Sequence, residues 1–384
     1  MILLLHWKKS AFLLRIKLAL VICLLCSITL QAQKYAAYTD NRGRFIIFDD
    51  GRTIEAEYIP VKSFSIGGTC ILYVDNRNNL KMYYDGKISS LVLNFSGNYS
   101  ADDYLAIYSQ YNTVKIIENG NITTISTYSV LYEAQDSLVT FYDQSKQLLA
   151  VYYKGRINML VDGLAGYRVR NDSILAQDIV VFNSGDNILS YFSPRKKSLE
   201  VFYRGESAVI EPFLSGGAFK TGRDIVAFIN QADQKLKIFY KSMIFQVEEF
   251  EPESWKVGDG IAAWVDNMGN FKVFAHGVIM DISSFRPDFY TVKNNMIIFG
   301  DQGYFKVWFN DKVYSLENYI PVEWLAEWNT LLYIDQNRNV RIFSNGENRV
   351  LTYDIVESIA LYRDIVVVNK GMNNHNVYYK GRKY

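Results

Sequence analysis

After residue 32 the chain holds two histidines, His276 and His375, and one cysteine, Cys70, so the usual machinery for activating a nucleophile is scarce. A Ser-His-Asp or Cys-His site needs an imidazole beside its nucleophile, and neither histidine has supporting residues nearby in sequence. Zinc sites built from His and Cys are equally starved. No phosphate loop or dinucleotide fingerprint stands in a strand-to-helix context. The reading is therefore of a chain without metal or cofactor, and of a non-enzyme.

Carboxylates are the residues that could still do chemistry. Asp102-Asp103 looks in isolation like an acid–base pair, and acids gathered around a ring axis would suit a glycosidase or lyase. Most Asp residues, however, recur in phase: Asp40, Asp75, Asp143, Asp266, Asp301 and Asp335 occupy one repeat position, with Ser109, Asn183, Asn230 and Asn369 read as substitutes. Residues repeated this way are read first as turn-formers whose side chains accept backbone N–H bonds. Asp102-Asp103 falls in the same turn position as Gly258-Asp259-Gly260 and takes the same reading. Calcium in the Asp-Asn-x-x-Asn turns is the alternative, although the spacing is not that of an EF-hand loop.

The elements that position these residues follow from the repeat, which runs at about 35 residues from Tyr35 to the C-terminus. A large aromatic usually precedes the marker by eleven residues, as in Phe64, Tyr132, Phe219, Trp255, Tyr290 and Trp324, and another precedes it by two, as in Tyr73, Phe141, Phe228, Trp264, Phe299 and Tyr333. Between them lies a turn pair such as Gly67-Gly68 or Lys293-Asn294, which suits a tight hairpin. Strands A and B are followed by a polar turn, strand C, a second turn at Gly51, Gly86, Gly120 or their equivalents, and a short strand D. Such a four-stranded antiparallel meander cannot bury both faces alone. Radial stacking solves that, so the expected class is all-β, a β-propeller of about ten units, with two five-unit rings or fewer, larger blades as alternatives.

The segment Ile71-Leu72-Tyr73-Val74-Asp75 through Tyr84-Asp85-Gly86 resembles the blades of YWTD and related low-density-lipoprotein-receptor-like propellers. The resemblance rests on a few positions per blade and implies a propeller. The units here are several residues shorter.

Residues 1–32 stand outside the array. Lys8, Lys9, Arg15 and Lys17 precede an apolar run from Leu18 to Leu30, and Gln31-Ala32-Gln33 follows, which is a signal-peptide pattern. The run is short for a bilayer-spanning anchor, which needs about 20 residues. A lipoprotein reading through Cys26 meets Leu25 where a small residue is expected. Removing four basic residues and no acids leaves 37 Lys and Arg against 40 Asp and Glu, a formal net charge of −3. No nucleic-acid partner and no stable membrane span after cleavage are implied. The expected address is the periplasm or the cell surface.

The fifth unit, around 156–205, departs most from the pattern. With Asn183 as its marker, 22 residues separate it from Gly205 where other units have 10 to 12. That reading expects a long B-to-C excursion carrying Tyr191, Phe192, Pro194, Arg195, Lys196 and Lys197, a candidate partner-binding loop, because insertions in repeat proteins mark binding faces. Trp328, in an A-to-B turn, is the tryptophan that packing explains least, and it is the other candidate. The acidic run Glu248-Glu249-Phe250-Glu251-Pro252-Glu253 reads as a solvated connector or a partner-binding lip. The function expected is a non-catalytic exported propeller that binds an envelope protein or serves as a scaffold. The alternative is a carbohydrate-binding or carbohydrate-active protein.

Overall fold

Strong β-formers alternate with turn residues along the whole array, and in the computed structural model they form antiparallel meanders, to which blade 5 adds a short fifth strand, Arg168–Arg170, paired parallel to Ile179–Ser184. Residues 34–164, 168–170, 179–214 and 217–384 are described; those from Gln33 onward belong to one compact unit. The expected signal segment lies outside the described residues. Ten sheets follow one another in chain order, each a blade. Blade 7 is typical, with strand A at Ser254–Val257, B at Ile261–Val265, C at Phe271–Ala275 and D at Val278–Ser283. Blade 1 has three strands among the described residues, Tyr35–Thr39, Phe45–Asp49 and Arg52–Glu57, which correspond to B, C and D.

The paired aromatics of the repeat face each other across the A–B ladder. Phe64 is opposite Tyr73, Tyr132 opposite Phe141, Phe219 opposite Phe228, Trp255 opposite Trp264, Tyr290 opposite Phe299 and Trp324 opposite Tyr333. Cross-strand aromatic pairs of this kind stabilise a sheet locally. Strand B is buried and strand C largely buried, because neighbouring blades cover them, whereas D is exposed on both faces over its first half. Each core therefore lies between blades: Ile225, Ala227 and Ile238 of blade 6 pack with Trp255, Trp264 and Phe274 of blade 7.

The ring closes between blades 10 and 1. Ala36 and Phe48 pack with Ile365, Val367, Val377 and Tyr379. The Phe48 ring meets Tyr379 at 5.7 Å and Tyr384 at 5.2 Å, and Lys380 pairs with Asp50 at 2.9 Å. The ten units thus form one ring, and neither two five-unit rings nor merged larger blades. Among the described residues no helix is long and apolar enough to cross a membrane.

The marker carboxylates are structural, as expected. Asp75 accepts from the N–H groups of Arg77 and Asn79 and from the Asn79 side chain, and Asp266 does the same with Met268 and Asn270. Burial opposes ionisation of Asp266, but hydrogen bonds from Asn270 and Lys272 hold its carboxyl at about 2. The same lysine bridges blades, reaching Glu248 at the end of the preceding strand D (2.7 Å), which also accepts from the Trp264 indole (2.9 Å). Lys81 repeats the latch with Glu57 and Asp75.

Unit five corrects the expected register. Ile179–Ser184 is strand A, Ile188–Ser193 strand B and Ser198–Tyr203 strand C, so Asn183 lies within strand A, next to its end, and Ser193 takes the marker position. There is no long B-to-C excursion. The turn at 194–197 has ordinary length, and the extra residues of the unit lie before strand A. Tyr191 and Phe192, expected on that loop, sit in strand B and are 1% and 5% exposed.

Candidate functional site at the ring axis

Strand A is the innermost of each blade, so the A–B turns converge on the axis at one face. They are hydrogen-bonded to one another in sequence round the ring. Gly68 N–H donates to the Asp102 carbonyl, Ser137 to Asp186, Asp259 to Asn294, and Trp328 N–H to the Asn294 side chain (3.1, 3.1, 2.6 and 2.9 Å). Arg363 N–H reaches Glu327 at 2.7 Å. Glycine is required where turns touch: a Cβ on Gly258 would stand 2.2 Å from the Asn294 carbonyl oxygen, and one on Gly222 would stand 1.8 Å from that of Gly258.

Inside this collar, long side chains span the axis. Arg223 of blade 6 donates to Asp136 of blade 4 (2.6 Å) and Asp186 of blade 5 (2.9 Å), with Asp259 of blade 7 at 3.9 Å. Arg363 of blade 10 pairs with Asp103 of blade 3. Both guanidiniums lie over the Trp328 ring of blade 9, at 4.5 Å and 4.2 Å from its centroid. Trp328 is half-buried and holds φ 50° in its turn. Arginine over indole is a favourable cation–π geometry.

Acids outnumber bases in the mouth, where Asp102, Asp103, Asp136, Asp186, Asp259 and Glu327 surround Arg223, Arg363 and Lys293. Burial, followed by the charge of Asp186, pushes the Asp136 carboxyl up to about 8 against the pull of Arg223. Burial also raises Asp102 and Glu327, and burial with Asp186 raises Asp259. Burial lowers Arg363 to about 10, so it remains charged at neutral pH. Asp136 is 5% exposed, and its Oδ1 has no hydrogen-bond partner among the described residues. A cleft of ≈ 220 Å³ leads outward from Arg223 and Asp259 past Tyr240, Asn295 and His276, which places that histidine on the same face.

Of the candidates read from sequence, Trp328 lies in this mouth. Arg195, Lys196 and Lys197 occupy the B–C turn of blade 5 on the opposite face, where Arg195 pairs with Asp162 and Lys196 with the buried Glu200, each at 3.0 Å. Tyr191 donates to the same Glu200 and is core. Sequence reasoning missed Arg223, Arg363, Asp136 and Asp186. Their signal was the A–B turn position itself, which carries charge in eight units: 102–103, 136, 186, 223–224, 259, 293, 327 and 363–364.

The family model of the 10-bladed beta propeller domain matches residues 29–384. The chain belongs to that family. The fold supports a protein-binding or scaffold role in general. Solved structures resemble this ten-bladed propeller at low identity. They include the computationally designed Ika8 protein, at 13% identity over 91% of this chain and 100% of that one with a TM-score of 0.36. The tricorn protease matches at 10% identity over 90% and 45%, with a TM-score of 0.33. PorZ, a surface component of the type-IX secretion system of Porphyromonas gingivalis, matches at 10% over 84% and 51%, with a TM-score of 0.30. The propeller thus spans the designed protein fully and about half the length of the other two. No curated protein matches it in sequence.

Proposed function

We propose that this ten-bladed propeller is an exported, non-catalytic binding component of the cell envelope, acting in the periplasm or at the cell surface, and that its partner docks at the axial mouth. The observation that carries this is the Trp328 indole with Arg223 and Arg363 over it, set in a collar of hydrogen-bonded turns. Trp and Arg are the residue types that dominate interface energetics when they are held rigidly. The acid excess around them favours a partner that presents a basic segment. Arg223 and Arg363 draw the carboxylates into ion pairs across the axis, which suits a fixed docking rim better than an open substrate cavity. The YWTD-like blade pattern fits such a platform and adds no separate activity.

The test is affinity purification of the tagged protein from its native envelope in mild detergent, comparing wild type with Trp328→Ala. The expected result is a stoichiometric protein carrying a basic segment that Trp328→Ala loses at unchanged melting temperature. Retention of the same partner by the variant refutes docking at the mouth.

A carbohydrate-active role is the second reading. It is favoured by Asp136, whose raised carboxyl stays protonated near neutrality in the mouth, because glycoside cleavage uses a protonated carboxyl as its general acid. Turnover of a glycan library that disappears in Asp136→Asn would replace the first reading with this one.

A further inference from the structure

Among the described residues blade 1 is one strand short, and the shortage falls on its inner side. The other blades carry a strand A towards the axis, whereas blade 1 opens with strand B, Tyr35–Thr39. The ladder to Phe45–Asp49 uses the peptide groups on one side of that strand: Asp50 N–H donates to the Lys34 carbonyl and Asp40 N–H to that of Arg44. Those bonds set the alternation, so Ala37 and Thr39 turn their N–H and C=O groups towards the place where strand A belongs. There they meet no hydrogen-bond partner among the described residues, although Ala37 is only 2% exposed. Unpaired peptide groups that water barely reaches are costly.

The side chains round the gap show the same shortage. At three other seams the first residue of strand C packs against two aromatics of the next blade, one from strand A and one from strand B. Phe45 meets Phe64 and Tyr73, Phe271 meets Tyr290 and Phe299, and Phe305 meets Trp324 and Tyr333, with ring centroids between 4.9 and 6.2 Å apart. At the seam from blade 10 to blade 1, His375 has Tyr38 at 4.7 Å and, among the described residues, no strand-A ring. Across the gap, Phe64 of blade 2 is 37% exposed, while Phe219, Trp255 and Tyr290 at the same repeat position are each 8% exposed. The preceding blade offers Phe64 no strand A to lie against. Between these walls is a cavity of ≈ 240 Å³ lined by Ala37, Tyr38, Phe64, Ile359, Val367 and His375.

What the gap lacks defines its ligand. Peptide donors and acceptors at strand spacing call for an extended backbone, which neither a sugar nor an ion supplies. Residues paired across a ladder share a face, so the one opposite Tyr38 lies on the blade 10 side against His375, where a ring completes the trio. Its neighbours, opposite Ala37 and Thr39, lie on the blade 2 side over Phe64. The inference rests on the export reading, in which the mature chain begins at Gln33. That is two residues before strand B, whereas strand A of blade 2 or blade 7 takes four residues besides its turn. We propose that blade 1 accepts an extended strand of another polypeptide, which lies antiparallel to Tyr35–Thr39, sets an aromatic side chain against Tyr38 and His375, and gives the blade its fourth strand.

The test uses the mature protein purified from its envelope. Intact mass is read first and is expected to place the N-terminus at Gln33. A synthetic peptide with the sequence of residues 252–257 then serves as donor, because its Trp255 stands at the strand-A aromatic position. Saturable binding is expected, with slowed amide exchange at Ala37 and Thr39. The peptide with Trp255→Ala should bind at least about tenfold more weakly. A peptide N-methylated at Ser254 and Lys256 should not bind, since those amides face strand B in the ladder of blade 7. In the protein, His375→Ala removes one wall of the cavity and should weaken the unmodified peptide about tenfold at an unchanged melting temperature. Absence of binding to a protein that begins at Gln33, or equal binding of the N-methylated peptide, overturns the proposal and leaves the export reading standing. A native chain that keeps residues 28–31 also overturns it, because those residues stand at the strand-A position of the repeat. Export then stands if the cut lies upstream of them, and falls with the proposal if the chain is uncut.

Discussion

Replacing Asp136 by Asn should make the propeller more stable at high pH and flatten its pH dependence. The folded-state carboxyl of Asp136 titrates at about 8, against 3.8 for the free group, with burial as the main cause. Its side chain is 6% exposed, so solvent screening is small. The raised pKa means that the folded protein holds a proton which the unfolded chain has released. Asp136 therefore costs nothing below about pH 4, and stability falls as pH rises from about 4 to about 8. Each unit corresponds to about 1.4 kcal/mol, so the full cost above pH 8 is on the order of 5 kcal/mol. Asparagine carries no such charge and can still accept from Arg223. Between pH 5 and pH 8 the variant should gain on the order of 3 kcal/mol relative to wild type. For an array of this length that is about 4 °C in melting temperature. Thermal and urea unfolding at matched ionic strength would measure it. Parallel pH profiles for the two proteins would refute the burial argument for the mouth.

Gly258→Ala should cost about 3 kcal/mol, since its Cβ would collide with the Asn294 carbonyl and Val292. Gly86→Ala, with open space but φ +77°, should cost only about 1 kcal/mol; equal losses of urea stability would count against the turn collar. Phe48→Ala should lose about 3–5 kcal/mol and speed amide exchange first in blades 1 and 10, where Phe48 meets Tyr379 and Tyr384. Uniform acceleration round the ring would deny that this seam closes it. Affinity for a basic partner segment at the mouth should rise from pH 6 to pH 9 as Asp136 ionises, and calorimetry should find that rise reduced in Asp136→Asn.

The architecture was legible because it is local. Trp255 and Trp264 stand nine residues apart and pair across one hairpin, so a repeated spacing announces a repeated ladder. The marker Asp is equally local, bonding within four residues. Unit five was misread because Phe182-Asn183 imitates an aromatic-then-marker ending, which slid the register by ten residues and turned buried strand B into an apparent loop. The better anchor was Ser184-Gly185-Asp186-Asn187-Ile188, which repeats the turn Val257-Gly258-Asp259-Gly260-Ile261. The mouth was not legible for a different reason. Arg363 and Asp103 are 260 residues apart, and Arg223 and Asp136 are 87 apart. Each looks like an ordinary turn residue until ring closure sets it opposite its partner. Asp102 and Asp103 do sit in a turn, as read, but the turn points at the axis.

The most direct test of docking at the mouth is oxidative footprinting of Trp328, in intact envelopes and in the purified protein. Trp328 is half-buried by Arg223 and Arg363 but still meets solvent, so it should be labelled in the purified protein and protected in the envelope, while exposed Met268 and Met372 on the other face serve as references. Equal labelling of Trp328 in both states would contradict the account.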